Sequence, residues 1–245
     1  MKKLNDYPLE IFYDGLRELQ IELSKLQIQQ FLWYYEYLTE KNKVMNLTAI
    51  TGFEEVVCRH FLDSLSLVLA VDPSDLHTVI DVGTGAGFPG IPLKIAFPHL
   101  NIVLLDSLRK RVDFLNEAIR GMGLKQITAI HGRAEEFGQN KRYRQQFDLC
   151  VSRAVADLAV LSEYCIPFVG QGGLFIAYKS ADVERECRAA DPAIEELGGV
   201  LADVVLFELA QSAQGRSLVV IEKEENTPKK YPRKAGLPSK RPLGK

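Results

Sequence analysis

Ile80-Asp81-Val82-Gly83-Thr84-Gly85-Ala86-Gly87-Phe88-Pro89-Gly90 is the stretch that decides the fold of this 245-residue chain. It follows a β-branched run at 78–82 and precedes a segment of helical pattern. Glycines at such a strand-to-helix turn let the backbone bend tightly and let a ligand approach the main chain. Outward from this loop, short apolar runs recur at 102–105, 127–130, 147–151, 174–177, 204–207 and 218–221. The first five runs are separated by segments long enough for crossover helices, such as 108–122 and 158–169. Without strict alternation, they suit parallel strands covered on both faces. Only about ten residues separate the last two runs, too few for a helical crossover, so the final strand should run antiparallel as a hairpin. The expected fold is α/β: a doubly wound, mostly parallel, seven-stranded Rossmann-like sheet with its last strand antiparallel, plus an N-terminal helical extension. The corresponding division is helices over 1–70, the sheet domain over 71–225 and a tail over 226–245.

Two glycine patterns overlap in the loop. Gly85-x-Gly87-x-x-Gly90 is formally a dinucleotide fingerprint, which alone is weak evidence. Gly83-x-Gly85-x-Gly87 preceded by Asp81 is the pattern of a nucleoside-binding methyltransferase loop. Asp106, at the end of the second strand, suits ribose hydroxyls in either case; its bland reading is a helix N-cap. A dinucleotide needs its pyrophosphate on amides at the helix N-terminus, and Pro89 and Pro92 each remove a donor there. After the seventh run there is only a tail, not the second domain a dehydrogenase would bring. The third strand ends in His131-Gly132-Arg133-Ala134-Glu135-Glu136, which lets Ala134 and Glu135 border an adenine. The fourth ends in Ser152-Arg153, which puts Arg153 over the same ligand-binding edge. Lys179 ends the fifth strand with the same geometry.

The N-terminal segment reads as helices: Leu9, Phe12, Leu16, Leu19 and Leu23 recur at helical spacing, as do Ile28, Phe31, Leu32, Tyr35 and Leu38. Thr51 and Glu54 make a capping-box signal for a third helix with the stripe Val57, Phe61, Leu65 and Val68. Trp33-Tyr34-Tyr35-Tyr37 could stack on bases, but its spacing favours core packing. On the third helix His60, Asp63 and Ser64 share a face. His60 is the candidate for acid–base work or for closing over the glycine loop; the bland reading is a packed histidine beside an Arg59–Asp63 ion pair.

Hydrophobic residues make up 47% and charged residues 25%, an ordinary globular balance that argues against disorder. The four cysteines form no CxxC pair, so neither a zinc site nor a disulfide scaffold is expected. No stretch has the length of a membrane span and the N-terminus does not read as a signal peptide, so a soluble cytoplasmic protein is expected. It is expected to act as a monomer, although nothing in the sequence itself sets the oligomeric state. Seven of the last twenty residues are basic and none is acidic; without those seven charges the net −2 becomes −9. An acidic body with a basic, Pro- and Gly-containing tail suggests a polyanionic partner and a tail extended or disordered until bound.

Several strings together resemble one family: Asn46-Leu47-Thr48, Arg59-His60-x-x-Asp63-Ser64, the glycine loop continued to Pro92, Leu104-Leu105-Asp106-Ser107 with Lys110-Arg111, Ala134-Glu135-Glu136 and Ser152-Arg153-Ala154. It is the RsmG family, also called glucose-inhibited division protein B, and the resemblance runs from about residue 40 to about residue 222. It implies methylation of guanine N7 in small-subunit (16S) ribosomal RNA with S-adenosyl-L-methionine as donor, on free RNA or on the assembling subunit, and no metal. Carried over by motif, Gly83, Gly85 and Phe88 would meet the cofactor through the loop, Ala134 and Glu135 on the adenine side, and Arg153 from the fourth strand. Asp106 would take the ribose by analogy with related methyltransferases. No catalytic dyad is required, because guanine N7 presents a lone pair without a proton to lose; His60 and Arg153 are the candidates for a catalytic or positioning part. Competing readings are an NAD-dependent oxidoreductase and an RNA-binding module that has lost its enzymatic activity.

Overall fold

The computed structural model describes residues 7–153, 156–209 and 215–244. The chain opens with α1 (Glu10–Glu18) and α2 (Lys25–Met45). α2 starts with a capping box in which Ser24 and Gln27 satisfy each other's backbone amides, and it ends on Asn46 in the left-handed conformation. The third helix is segmented: α3 (Phe53–Val56), a π-helical turn (Val57–Leu62), α4 (Asp63–Leu65) and a 3₁₀ turn (Ser66–Leu69). Its N-cap is Gly52 with no side-chain cap, so the Thr51–Glu54 capping box does not form. The Thr51 carbonyl instead receives the Tyr35 hydroxyl at 3.1 Å. α2 therefore sets this turn, and local sequence does not.

The sheet then assembles from β1 (Thr78–Val82), α5 (Gly90–Ala96), β2 (Asn101–Asp106), α6 (Arg109–Met122), β3 (Ile127–His131), α7 (Ala134–Phe137) and β4 (Phe147–Arg153). It is completed by α8 (Leu158–Cys165), β5 (Val169–Ser180), α9 (Glu184–Glu196), β6 (Gly199–Phe207) and β7 (Arg216–Lys223). The order is β3-β2-β1-β4-β5-β7-β6. β7 is antiparallel to both neighbours, and the other neighbouring pairs are parallel. The seven-stranded sheet with a reversed last strand is thus the observed architecture.

Alternate residues of each strand feed two cores. Val79, Leu104, Leu149, Ile176 and Leu218 pack with the N-terminal helices, α5 and α6. Ile80, Leu105, Cys150, Phe175 and Val219 pack with α8 and α9. The N-terminal helices are welded to the sheet layer by two glutamines of α2. The Gln27 amide donates to the last carbonyls of α5, at 2.8 Å to Ile95 and 3.0 Å to Ala96. The Gln30 amide donates to Met122 at the end of α6 at 3.0 Å, so α2 satisfies carbonyls that a helix end leaves unpaired. The aromatic run is core: Tyr34 is fully buried, and Trp33 stacks on Tyr37, which stacks on Phe114. The four cysteines are buried and free. Among the described residues no helix is long and apolar enough to cross a membrane, and no cluster of His, Cys, Asp or Glu is placed to hold a metal.

The tail departs from expectation. Residues 226–244 lie on the α8–α9 face, ending in the short α10 (Leu237–Lys240), with Tyr231 and Leu243 in the second core. Arg233 meets the buried Glu163 of α8 through both guanidinium edges, at 2.9 Å from Nε and 2.5 Å from Nη2. Arg144 donates to the Tyr231 and Thr227 carbonyls, each at 2.7 Å. Composition reads as disorder here because the partners of these polar groups lie 70 or more residues away.

Candidate cofactor and active site

The glycine loop sits at the carboxyl end of β1, where open α/β sheets bind ligands. Gly83, Gly85 and Gly87 take φ values of 73°, 62° and 90°, a left-handed region that glycine enters without steric cost. A side chain at Gly87 would collide with Ile91, Leu115 and the Tyr34 hydroxyl, whereas at Gly85 it would meet nothing closer than the Gly83 carbonyl at 3.9 Å. Gly87 is therefore needed for packing, while Gly85 faces open space. The Gly83 amide holds the loop on the Leu105 carbonyl of β2 at 2.8 Å. From behind, the Tyr34 hydroxyl donates to the Ala86 carbonyl.

Two carboxylates organise this turn. Asp81 is fully buried; its Oδ2 accepts from the Thr84 hydroxyl at 2.6 Å and the Gly90 amide at 2.9 Å. Its Oδ1 has no partner among the described residues. Burial pushes the Asp81 carboxyl up to about 6, against the two hydrogen bonds and Arg153, which favour ionisation. Asp106 accepts from the Gly85 amide through Oδ2 at 2.9 Å and from the Leu108 amide through Oδ1 at 2.8 Å. Oδ2 also faces the Arg111 guanidinium at 3.5 Å. Asp106 thus braces both the loop and the entry to α6, and Oδ1 keeps a lone pair for another donor.

The helix after the loop has no place for a pyrophosphate. Gly90 gives its amide to Asp81, Ile91 to the Gly87 carbonyl at 2.8 Å and Leu93 to the Pro89 carbonyl at 3.2 Å, while Pro92 has none. The orphan amides that hold phosphates at helix N-termini are already used. This removes the physical basis of the dinucleotide reading.

The opposite wall comes from the π-helical turn. The His60 ring stacks on Phe88 with centroids 4.5 Å apart and 22° between planes, and the Arg153 guanidinium lies 5.1 Å from the Phe88 centroid. Phe88 is buried beneath them. Arg153 Nη1 pairs with Asp63 at 2.6 Å, and its Nη2 lies 3.2 Å from His60 Nδ1. Arg216 binds Asp63 from the other side, Nε to Oδ1 at 2.7 Å. The expected Arg59–Asp63 pair is absent: Asp63 turns into the protein toward these two arginines, and Arg59 faces Glu55 at 3.8 Å instead. His60 Nε2 lies 2.9 Å from the Thr48 hydroxyl, and burial, aided by Arg153, brings its pKa down to about 4. Its imidazole is neutral at pH 7.

On the other flank, the Gly132 amide donates to the Asp106 carbonyl at 3.1 Å, which brings the start of α7 beside the loop. Ala134 is half-buried there. Glu135 is buried, and its Oε1 accepts the Gly236 amide of the tail at 2.9 Å. Lys179 is committed elsewhere, at 2.6 Å from Glu186 and 2.8 Å from the Ala156 carbonyl. The structure therefore brings Gly83, Gly85, Phe88, Asp106, Arg153 and His60 to one edge, with Ala134 and Glu135 flanking it. Sequence reasoning missed Tyr34, Thr48 and Arg216 in this edge; Arg216 carries no local signal, because its partner Asp63 lies 153 residues away.

The model of the GidB family, rRNA small subunit methyltransferase G, matches residues 27–214. Ribosomal RNA small subunit methyltransferase G of Lachnoclostridium phytofermentans is 53% identical over 232 residues, covering 95% of this chain and 96% of that one. The Bacillus subtilis protein of the same name is 47% identical, covering 96% and 98%. Among solved structures, StiE O-MT superposes with a TM-score of 0.51 at 17% identity, covering 66% of this chain and 73% of that one. A branched-chain polyamine synthase from Thermus thermophilus superposes with a TM-score of 0.52 at 15% identity, covering 67% and 56%. These two are similar in fold.

Proposed function

The chain belongs to the family of rRNA small subunit methyltransferase G, and from that premise we propose that it methylates N7 of a guanine in 16S ribosomal RNA. S-adenosyl-L-methionine, bound at the glycine loop, would supply the electrophilic methyl group. The residues present fit that cofactor. Asp106 offers acceptor capacity for ribose hydroxyls, Gly85 leaves an open face above the main chain, and Ala134 and Glu135 border the flank that would take the adenine. Asp81 Oδ1, buried without a partner, suits a cationic amine. The observation that carries the reading is the committed N-terminus of α5, which favours an adenosyl sulfonium over a pyrophosphate.

Guanine N7 needs no base, so the residues around the site act by placement and electrostatics. Neutral His60 and ion-paired Arg153 fit positioning parts: they hold Phe88, and with it the loop, in one arrangement. The RNA must present an accessible guanine edge, which A-form helices hide, so a loop or bulge is the target. Arg109 and Lys110 in the first turn of α6 oppose the helix dipole and would suit RNA phosphates. The protein would act as a monomer in the cytoplasm, where its RNA is found, and without a metal.

Transfer of labelled methyl from S-adenosyl-L-methionine to 16S RNA, mapped by mass, tests the activity; binding of NAD in preference to S-adenosyl-L-methionine would refute it. Because the Asp81 carboxyl titrates near pH 6 and a cationic amine favours its ionised form, cofactor affinity should fall as pH drops below about 6. The Asp81→Asn variant should lose that pH dependence in an equilibrium titration.

A further inference from the structure

α7 is a single turn, too short to hold its own position, and its N-cap residue Arg133 provides no side-chain cap. The tail supplies what local structure does not. Gly236 gives its amide to Glu135 Oε1 at 2.9 Å. Just past α7, the Gln139 amide reaches the Pro232 carbonyl at 2.9 Å, and Gly138 packs so closely on Pro232 that a Cβ would come within 2.9 Å of it. Arg144 ties the Gly138 carbonyl, at 2.9 Å, to the tail carbonyls of Tyr231 and Thr227. The far side of the tail is anchored by the Arg233–Glu163 pair and by the Tyr164–Ser239 hydrogen bond at 2.8 Å. Since Gly132 is bonded to the Asp106 carbonyl, any shift of α7 is a shift of the wall next to the ribose carboxylate.

We propose that residues 227–241 are a strap that fixes the adenine-side wall of the cofactor site, with Glu135 as the positioning residue through which the strap grips α7. The proposal rests on the methyltransferase reading above and deepens it. The Glu135 carboxyl is turned to the tail, so its part in cofactor binding is to hold backbone. The strap's service to the cofactor is independent of any attraction its lysines exert on RNA, and that separates the two in experiment.

The test is equilibrium titration of the full-length protein with S-adenosyl-L-methionine in the absence of RNA, together with hydrogen exchange at amides 134–138. Glu135→Ala should raise the cofactor Kd about tenfold, an ordinary site-to-site coupling, and speed exchange at those amides. Glu135→Gln keeps an acceptor oxygen for Gly236 and should recover most of the affinity. Arg233→Lys loosens the anchor away from the cleft and should show the same direction at smaller size. A Glu135→Ala protein that binds the cofactor as wild type does, or exchanges amides 134–138 at the wild-type rate, overturns the strap. Equal loss in Glu135→Ala and Glu135→Gln overturns it too, by showing that the carboxylate charge itself acts on the cofactor. If wild type binds no S-adenosyl-L-methionine, the function reading fails, and the exchange rates still decide whether the tail holds α7.

Discussion

The two ends of the chain both pack against the central sheet, but by different physics. The N-terminal segment adds buried aromatic and aliphatic side chains, among them Phe12, Phe31, Tyr34 and Phe61, to one continuous core with the sheet. The tail buries only a few apolar groups and is held largely through arginine, glutamine and glutamate side chains that meet backbone or each other. Apolar burial stabilises in proportion to area and tolerates small shifts. Polar docking stabilises less per contact and fails if one partner is lost. The consequence for the site is a division of labour. One end brings His60 and Asp63 to the Phe88 side of the loop, and the other secures the Glu135 side.

The sharpest break of that comparison is Asp63→Ala. Asp63 is nearly sealed from solvent and meets both Arg153 and Arg216, so its loss leaves two guanidinium groups facing each other. Removing one partner of a buried ion pair costs about 3–5 kcal/mol. Urea denaturation should show a loss of that size, and methyl transfer should fall with it, because Phe88 loses its Arg153 cover. Stability within 1 kcal/mol of wild type, judged on that same scale, would show the triad to be incidental. The matching change at the other end is Glu163→Gln. Gln keeps the side chain's shape and one acceptor oxygen for Arg233, so the expected cost is smaller than that of Asp63→Ala, about 1–3 kcal/mol. It should appear first as protease sensitivity within 227–241, before the sheet unfolds. Unfolding of tail and sheet in one transition would mean that the two ends are more alike than their contacts suggest.

The same contrast explains what the sequence discloses. All seven strands lie where the β-branched runs put them, because hydrophobic period is set by burial on a sheet and burial dominates there. The reversed last strand was legible from the short 208–217 connection alone. The place of β7 between β5 and β6 was not, since pairing order leaves no local trace. In the site, the glycine loop, Asp106 and Arg153 were visible because they sit at strand ends of a recognisable motif. The reading failed wherever a polar side chain chose a distant partner over a near one. Asp63 passes over Arg59 for Arg153 and Arg216, the Tyr35 hydroxyl takes the Thr51 backbone carbonyl where no side-chain cap forms, and Arg233 finds Glu163. Spacing rules rank neighbours along the helix or loop, and in each case tertiary packing outweighs a local pair worth only tenths of a kcal/mol to about 1 kcal/mol.

A finer probe asks whether the N-terminal end does more than bury surface. Tyr34→Phe keeps the ring in the core and deletes only the hydroxyl that meets the Ala86 carbonyl behind the loop. The loss should be about 1 kcal/mol by thermal or urea unfolding. Cofactor affinity should weaken with it, because the freed Ala86 peptide lies within the glycine turn. A stability loss without any change in cofactor binding would confine α2 to a packing part.

An effect no larger than this at neutral pH, but with a distinctive sign on acidification, belongs to His60. Its folded-state pKa is held near 4 by burial and by Arg153, below the ordinary histidine value of 6.5. The folded protein therefore resists a proton that the unfolded chain accepts. The stability tied to neutral His60 is fully present above pH 6.5 and drains away as pH falls from 6.5 toward 4. At pH 8 the variant His60→Gln should lose only what the Thr48 contact and the stacking on Phe88 contribute, about 1 kcal/mol. Between pH 6.5 and 4 its stability curve should be flatter than wild type, and the gap between the two proteins should narrow. A gap that widens on acidification would mean that the imidazole is protonated in place, paired with Asp63. The same neutrality predicts a methyl-transfer profile with no histidine inflection between pH 6 and 8. An inflection there that vanishes in His60→Gln would move His60 from holding the loop to moving a proton, and guanine N7 would then be the wrong nucleophile to have assumed.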